Sequence, residues 1–155
     1  MKISSSGIVD GVIQDIYGKR SRHIKMGMPT YSLPIKIEND NKATKSYVIV
    51  LDDPDAMEVC GKVFIHWLVC DLQKKEIKEN ESFGATEFIQ GKNDWGENCY
   101  GGMAPPNKPH SYRITVYALD TLLGLHGDFT LDVLEKAMEG HILDSDTIYG
   151  LYSNK

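Results

Sequence analysis

The spacing of apolar and polar residues predicts a protein built mostly of strands. Ser46 to Leu51 is nearly all apolar and β-branched, the pattern of a strand covered on both faces, and it runs straight into Asp52-Asp53-Pro54-Asp55. Val63 to Leu72 is a second such run. It is interrupted by one histidine, His66, which a period of two places on the face of Phe64, Leu68 and Cys70. Ser111 to Leu119 alternates instead, with Tyr112, Ile114, Val116 and Ala118 on one face and Ser111, Arg113, Thr115 and Tyr117 on the other. His110, at its head, shares the face of Tyr112. Leu33 to Glu38 alternates around Pro34 and predicts an edge strand, and Thr147 to Tyr152 predicts a last one. A single stretch keeps helical spacing. Leu131, Leu134 and Met138, with Val133 and Ala137, follow Thr130 as N-cap and run to about His141. Asn39 to Lys42, Lys74 to Ser82, Phe88 to Trp95 and Leu122 to Asp128 read as turns and loops. Residues 1 to 34 yield only turns at Asp10-Gly11 and Tyr17-Gly18, and extended chain before Pro29 and Pro34.

Composition narrows the class. At 155 residues, 41% apolar and 25% charged, the chain is expected to form a single domain, 1–155, with a core that needs no metal or disulfide. A formal net charge of −5 argues against nucleic acid as the main partner but not against a small local anion site. No apolar run reaches the length of a membrane span, and Met1 to Asp10 lack the continuous apolar segment of a signal peptide. Cys60, Cys70 and Cys99 are odd in number and lack CxxC spacing, which suits a reducing compartment, so a cytoplasmic location is expected. The basic run Lys19, Arg20, Arg22, His23 and Lys25 reads as a solvated loop.

Candidate chemistry gathers where the strands begin and end. Gly101 to Pro109 holds two glycines, three prolines and an Asn, and leads into His110 and Tyr112. Asp53 and Asp55 follow one buried run, and His66 interrupts another. Carboxylates are seldom buried unless paired. Two readings stay open at this point. Asp53 and Asp55 serve turn formation and His66 is a core imidazole bonded to a carbonyl; or the imidazoles, a carboxylate, the phenol and glycine amides converge on a polar cavity suited to phosphate or another oxyanion. A neighbouring carboxylate would raise a histidine pKa and favour the protonated, anion-binding form. No GxSxG elbow or activated cysteine supports nucleophilic catalysis. Zinc held by His66, His110 and an Asp lacks HxH or HExxH spacing. No catalytic residue, cofactor or metal is expected.

Three blocks carry a resemblance. They are Val50-Leu51-Asp52-Asp53-Pro54-Asp55-Ala56, Ile65-His66-Trp67-Leu68-Val69, and Cys99-Tyr100-Gly101-Gly102 through Pro105-Pro106, His110 and Tyr112 to Asp120. Together with Asn93-Asp94-Trp95-Gly96 and Lys136 to Leu143, they resemble the phosphatidylethanolamine-binding protein family, in its prokaryotic Raf-kinase-inhibitor-like branch, over about residues 27 to 152. The resemblance implies a mainly β fold, an antiparallel sandwich of a large central sheet and a smaller one with peripheral helices. It also implies a small anion-binding cavity lined by Asp53, Asp55, His66, Gly102, Pro105, Pro106, His110 and Tyr112. The chain departs from the family pattern at Met57, Met103 and Ser111, where relatives have proline, proline and arginine, and at Ala104, a variable position. The lost prolines are expected to loosen the rim. The function so implied is binding of a small phosphorylated or carboxylate ligand, with modulation or inhibition of a kinase or protease as a further role and a homodimer as a family-level expectation. Two alternatives are a hydrolase with His66 or His110 as general base oriented by Asp53, and a dimeric structural module with a vestigial pocket.

Overall fold

The computed structural model describes residues 1–155. Twelve strands account for most of its regular structure: β1 (Lys2–Ser4), β2 (Ile8–Val9), β3 (Val12–Ile13), β4 (Ile24–Lys25), β5 (Met28–Pro29), β6 (Ile35–Glu38), β7 (Ser46–Asp53), β8 (Phe64–Leu72), β9 (Glu76–Ile77), β10 (Ile89–Gln90), β11 (His110–Leu119) and β12 (Ile142–Tyr152). Two helices, α1 (Met57–Cys60) and α2 (Leu131–Met138), lie at the periphery. A seven-stranded sheet runs β10-β8-β7-β11-β12-β3-β2, a three-stranded sheet runs β1-β6-β9, and β4 pairs with β5. Every ladder is antiparallel except β12 with β3, which meet in parallel at Leu151 and Val12. The fold is thus the mainly β architecture expected, a large sheet with a smaller one, to which the β4–β5 ribbon is added.

The sequence patterns follow from what covers each face. β7 is buried at all eight positions because the small sheet packs on one side and α2 on the other. On the inner side Ile3, Ile35, Ile37 and Ile77 meet Ile49, Leu51, Trp67, Val69, Ile114 and Val116 in one cluster. On the outer side Val48, Val50, Leu68 and Cys70 meet Leu134 and Met138 of α2, with Phe129 just before it. No helix covers the outer face of β11 beyond this, so β11 alternates buried and half-exposed residues. Helix α2 starts where its cap predicts: Thr130 Oγ1 accepts from the Val133 amide at 3.4 Å.

Several boundaries differ from the sequence reading. The strand around Pro34 begins after the proline and is central in its sheet, between β1 and β9, because its amides are then all free to pair. β12 is longer than Thr147–Tyr152. Ile142 and Leu143, which resemble helix text, already belong to it, and Asp144-Ser145-Asp146 masks its alternation. The Lys19–Lys25 run is not wholly solvated. Lys19 Nζ donates to the carbonyls of Pro105 and Asn154, and Arg20 Nη1 donates to those of Ser153 and Lys155, so the run clasps the C-terminal residues.

Candidate functional site

A cavity of about 200 Å³ opens between the ends of β7, β8 and β11. Its polar floor is built by Asp53 and His110. Asp53 ends β7, and the prolyl turn that follows (Pro54–Ala56) uses its carboxylate as a cap: Oδ1 accepts from the Asp55 amide at 3.0 Å. Oδ2 is left for His110 Nδ1, 2.6 Å away. The imidazole is 1% exposed, and its Nε2 lies 2.7 Å from Oδ1 of Asn107, in the loop before β11. A carboxamide oxygen only accepts, so Nε2 carries a proton. One further proton is held between Nδ1 and Asp53. Burial raises the Asp53 pKa, and the bond to His110 opposes that rise.

His66 comes in from β8 by way of a bulge. Leu51 pairs with Trp67 and Asp52 with Ile65, so His66 is the extra residue in the ladder. The insertion breaks the period of two. Ile65, Leu68 and Cys70 face outward toward α2, whereas His66 turns inward with Trp67, its ring 5.2 Å from that of Tyr112. The parity that joined His66 to Leu68 and Cys70 is corrected by this bulge; its proximity to Phe64, 4.9 Å between ring centroids, remains. His66 Nδ1 bonds the Gly101 carbonyl at 2.7 Å. Desolvation lowers the His66 pKa to about 4, against the carbonyls of Gly101 and Gly102, which favour the charged form. The contacts of His66 are carbonyl oxygens and aromatic rings, as a core imidazole bonded to a carbonyl would have, and it is neutral at neutral pH; the carboxylate meets His110 instead. Burial also raises the Tyr112 phenol well above its ordinary value.

The rim is apolar. Phe64 and Trp95 meet edge to face at 4.7 Å, and Val59 and Cys60 of α1 and Ala104, Pro105 and Pro106 complete it. Trp95 is positioned by the Asn93–Gly96 turn, where Asn93 Oδ1 accepts from the Trp95 and Glu97 amides and Asp94 Oδ2 accepts from the Ile65 amide.

Of the eight residues expected at the site, Asp53, His66, Pro105, Pro106, His110 and Tyr112 line this cavity, and Asp55 and Gly102 do not. Asp55 Oδ2 accepts from the Ser111 amide at 2.8 Å, fastening the end of β7 to the start of β11. Gly102 donates its amide to the Pro29 carbonyl at 2.8 Å and packs against Tyr17. Among the departures, Met103 is fully buried in the inner core, its carbonyl accepting from the Lys19 backbone amide, so its side chain fills core and does not touch the rim; Met57 is exposed and outside the lining. The sequence reading missed Asn107 as a partner of His110, and missed the wall made by Phe64 and Val59. The i, i+3 spacing of Asn107 and His110 in a prolyl turn was the only available signal.

A larger cleft of about 650 Å³ lies on the outer face. Both of its cations are already paired, Arg113 with both oxygens of Asp52 and Lys62 with Asp94, and its remaining charge is the carboxylate of Glu135, so it offers no free cation to an anionic ligand. No group of three His, Cys, Asp or Glu side chains is arranged to hold a metal, and no helix is long and apolar enough to cross a membrane.

A family model described as phosphatidylethanolamine-binding protein matches residues 4–153. A UPF0098 protein of Archaeoglobus fulgidus is 41% identical over 127 residues, 79% of this chain and 42% of that protein. One of Pyrococcus abyssi is 40% identical over 130 residues, 79% of this chain and 71% of the relative. The chain thus spans less than half the length of the Archaeoglobus relative. Among solved structures, a putative phosphatidylethanolamine-binding protein homologue of Chlamydia trachomatis superposes with a TM-score of 0.83 at 28% identity, over 97% of this chain and 95% of the other. YbcL of Escherichia coli does so with a TM-score of 0.84 at 21% identity, over 99% and 98%, a likeness of fold.

Proposed function

Because the chain belongs to the phosphatidylethanolamine-binding protein family, we propose that it binds a small oxyanion, a phosphoryl group foremost, in the cavity between Asp53, His66 and His110. One observation carries the reading. A buried imidazole that lines the cavity is held by a carboxylate on one nitrogen and donates the N–H of the other to the carboxamide oxygen of exposed Asn107, an acceptor that an oxyanion would replace. Asp53 fixes the ring and shares its proton, so the floor presents a donor without an unpaired negative charge. Exclusion of water by Phe64, Trp95 and Pro106 strengthens such a bond. The one nucleophile in the lining, Cys60, donates its thiol to the Lys62 carbonyl at 3.6 Å and meets neither imidazole, which favours binding over turnover. The reading extends to a modulator role in which a phosphorylated side chain of a kinase or protease presents its phosphoryl group to this cavity.

The test is an NMR titration of the full chain with inorganic phosphate. Saturable shifts are expected at the cavity residues, and His110→Ala should abolish them. Asn107 is exposed, so Asn107→Ala should leave the fold intact and tighten phosphate binding several-fold by removing the competing acceptor. Shifts that are absent in the natural protein, or that survive unchanged in His110→Ala, would show the reading to be wrong.

A further inference from the structure

The large sheet separates two recesses. Asp52 and Asp53 are neighbours in β7, yet Asp53 lines the small cavity and Asp52 lines the cleft of about 650 Å³ on the outer face. The floor of that cleft is β11 and β12. Thr115 and Thr147 pair across the two strands with their hydroxyls 3.2 Å apart, and Tyr117 with Ser145 and Arg113 with Tyr149 flank them. One wall is α2. Leu131, Glu135 and Met138 line it, four and three residues apart, and so form one stripe of the helix. Lys136 projects about 100° further around the helix and does not line the cleft. The Glu135 carboxylate therefore stands between two apolar side chains. It is exposed and enters no ion pair or hydrogen bond. The Tyr117 hydroxyl beside it has no partner either. Burial first, then Glu135 and Asp52, hold the Tyr117 pKa above its ordinary value, with Arg113 opposing, so the phenol is protonated in a negative field.

We propose that the outer cleft is a second binding site, for an aliphatic primary amine in its ammonium form, with the head held by Glu135 and the Tyr117 hydroxyl and the alkyl stem laid over Leu131 and Met138. The ammonium donates to the carboxylate and to the phenol oxygen, and the Tyr117 ring offers its face to the charge. Val50, Ile65 and Met138 give the stem an apolar base. A free amine and a lysine side chain share this chemistry.

The other charges of the cleft favour a cation and leave its place open. Three carboxylates face two cations there. Arg113 gives Nε and Nη2 to the two oxygens of Asp52, and Lys62 lies 3.0 Å from Asp94, so the unmatched charge is that of Glu135. An anion would meet this excess. A hard metal ion needs several oxygen ligands, and one free carboxylate does not supply them. A neutral alcohol could fill the apolar part but would leave the carboxylate without a charged partner.

The experiment is an NMR titration of the full chain at about pH 7, where alkylamines are charged, with n-butylamine, n-butanol and butyrate. Butylammonium should give saturable shifts at Leu131, Glu135, Met138 and Tyr117 and none at His110. Butanol has the same stem without the charge and should bind about tenfold more weakly; butyrate should not bind. Glu135→Gln keeps a good helix former at an exposed position and should weaken butylammonium about tenfold. Tyr117→Phe keeps the ring and should weaken it several-fold. A fourth probe, Nα-acetyl-lysine amide, identifies the source: tighter binding than butylammonium assigns the cleft to a lysine side chain of a protein, weaker binding to a free amine. Butanol equal to butylammonium, unchanged binding in Glu135→Gln, or no shifts at the cleft would overturn the proposal. If a variant does not fold, the ligand series in the natural protein decides alone. Phosphate binding is read at the other face of the sheet, so failure here leaves the anion reading standing.

Discussion

His66 and Asp53, two polar side chains of the cavity, are shifted by folding in opposite senses. The His66 pKa falls from 6.5 to about 4 on burial, so between those values the unfolded chain binds a proton that the folded one does not. Stability from this residue is complete above the upper value and is lost as pH falls toward the lower, by on the order of 3 kcal/mol. The raised pKa of Asp53 works the other way, since the folded chain there keeps a proton that the unfolded one releases. Urea unfolding of the natural protein and of His66→Phe at about pH 7 and pH 4.5 isolates the first effect, because Asp53 is common to both. The natural protein should lose more stability between the two pH values; equal losses would remove His66 as the cause. The residue types of the site were legible because polar groups stood at the ends of apolar runs. Their roles were not. Asp53 and Asp55 look alike in Asp-Pro-Asp, yet one meets an imidazole and the other a backbone amide, and only the approach of β11 separates them.

At the level of elements, one inserted residue decides the site. Without the bulge in β8, His66 would follow Leu68 and Cys70 toward α2 and the cavity would lose a wall. Bulges leave no mark in a period-two reading of a run that is apolar on both faces. The Gly101–Pro109 loop shows the same separation of signal from role. Gly102 reads as a cavity residue by motif, but a Cβ there would stand 2.1 Å from the Tyr17 carbonyl oxygen, so it marks a close approach of two backbones. Gly102→Ala should cost about 2 kcal/mol or more in denaturant unfolding. Gly127→Ala, whose Cβ would meet nothing closer than 4.0 Å, should stay within about 0.5 kcal/mol. A Gly102→Ala protein as stable as the parent would mean the loop is free to move aside.

Over the whole molecule, stability should grade from the middle of the large sheet outward. β7 lies between β8 and β11 with both faces covered, whereas β2 and β3 are two-residue strands at one edge and β4–β5 is an isolated ribbon. Amide hydrogen exchange should therefore be slowest across β7, β8 and β11 and much faster in β2–β5; comparable protection in the ribbon would contradict this. The sequence by itself determined the strand-rich class, the doubly covered strand, the one long helix and the residue types of the site. Each of these is written locally, as a periodicity or a run of a few neighbours. Only the tertiary structure decided which histidine is neutral, which carboxylate is paired, and which rings close the rim. Those properties depend on desolvation and on contacts such as Asp53 with His110, 57 residues apart, and no spacing along a chain encodes a distance across it.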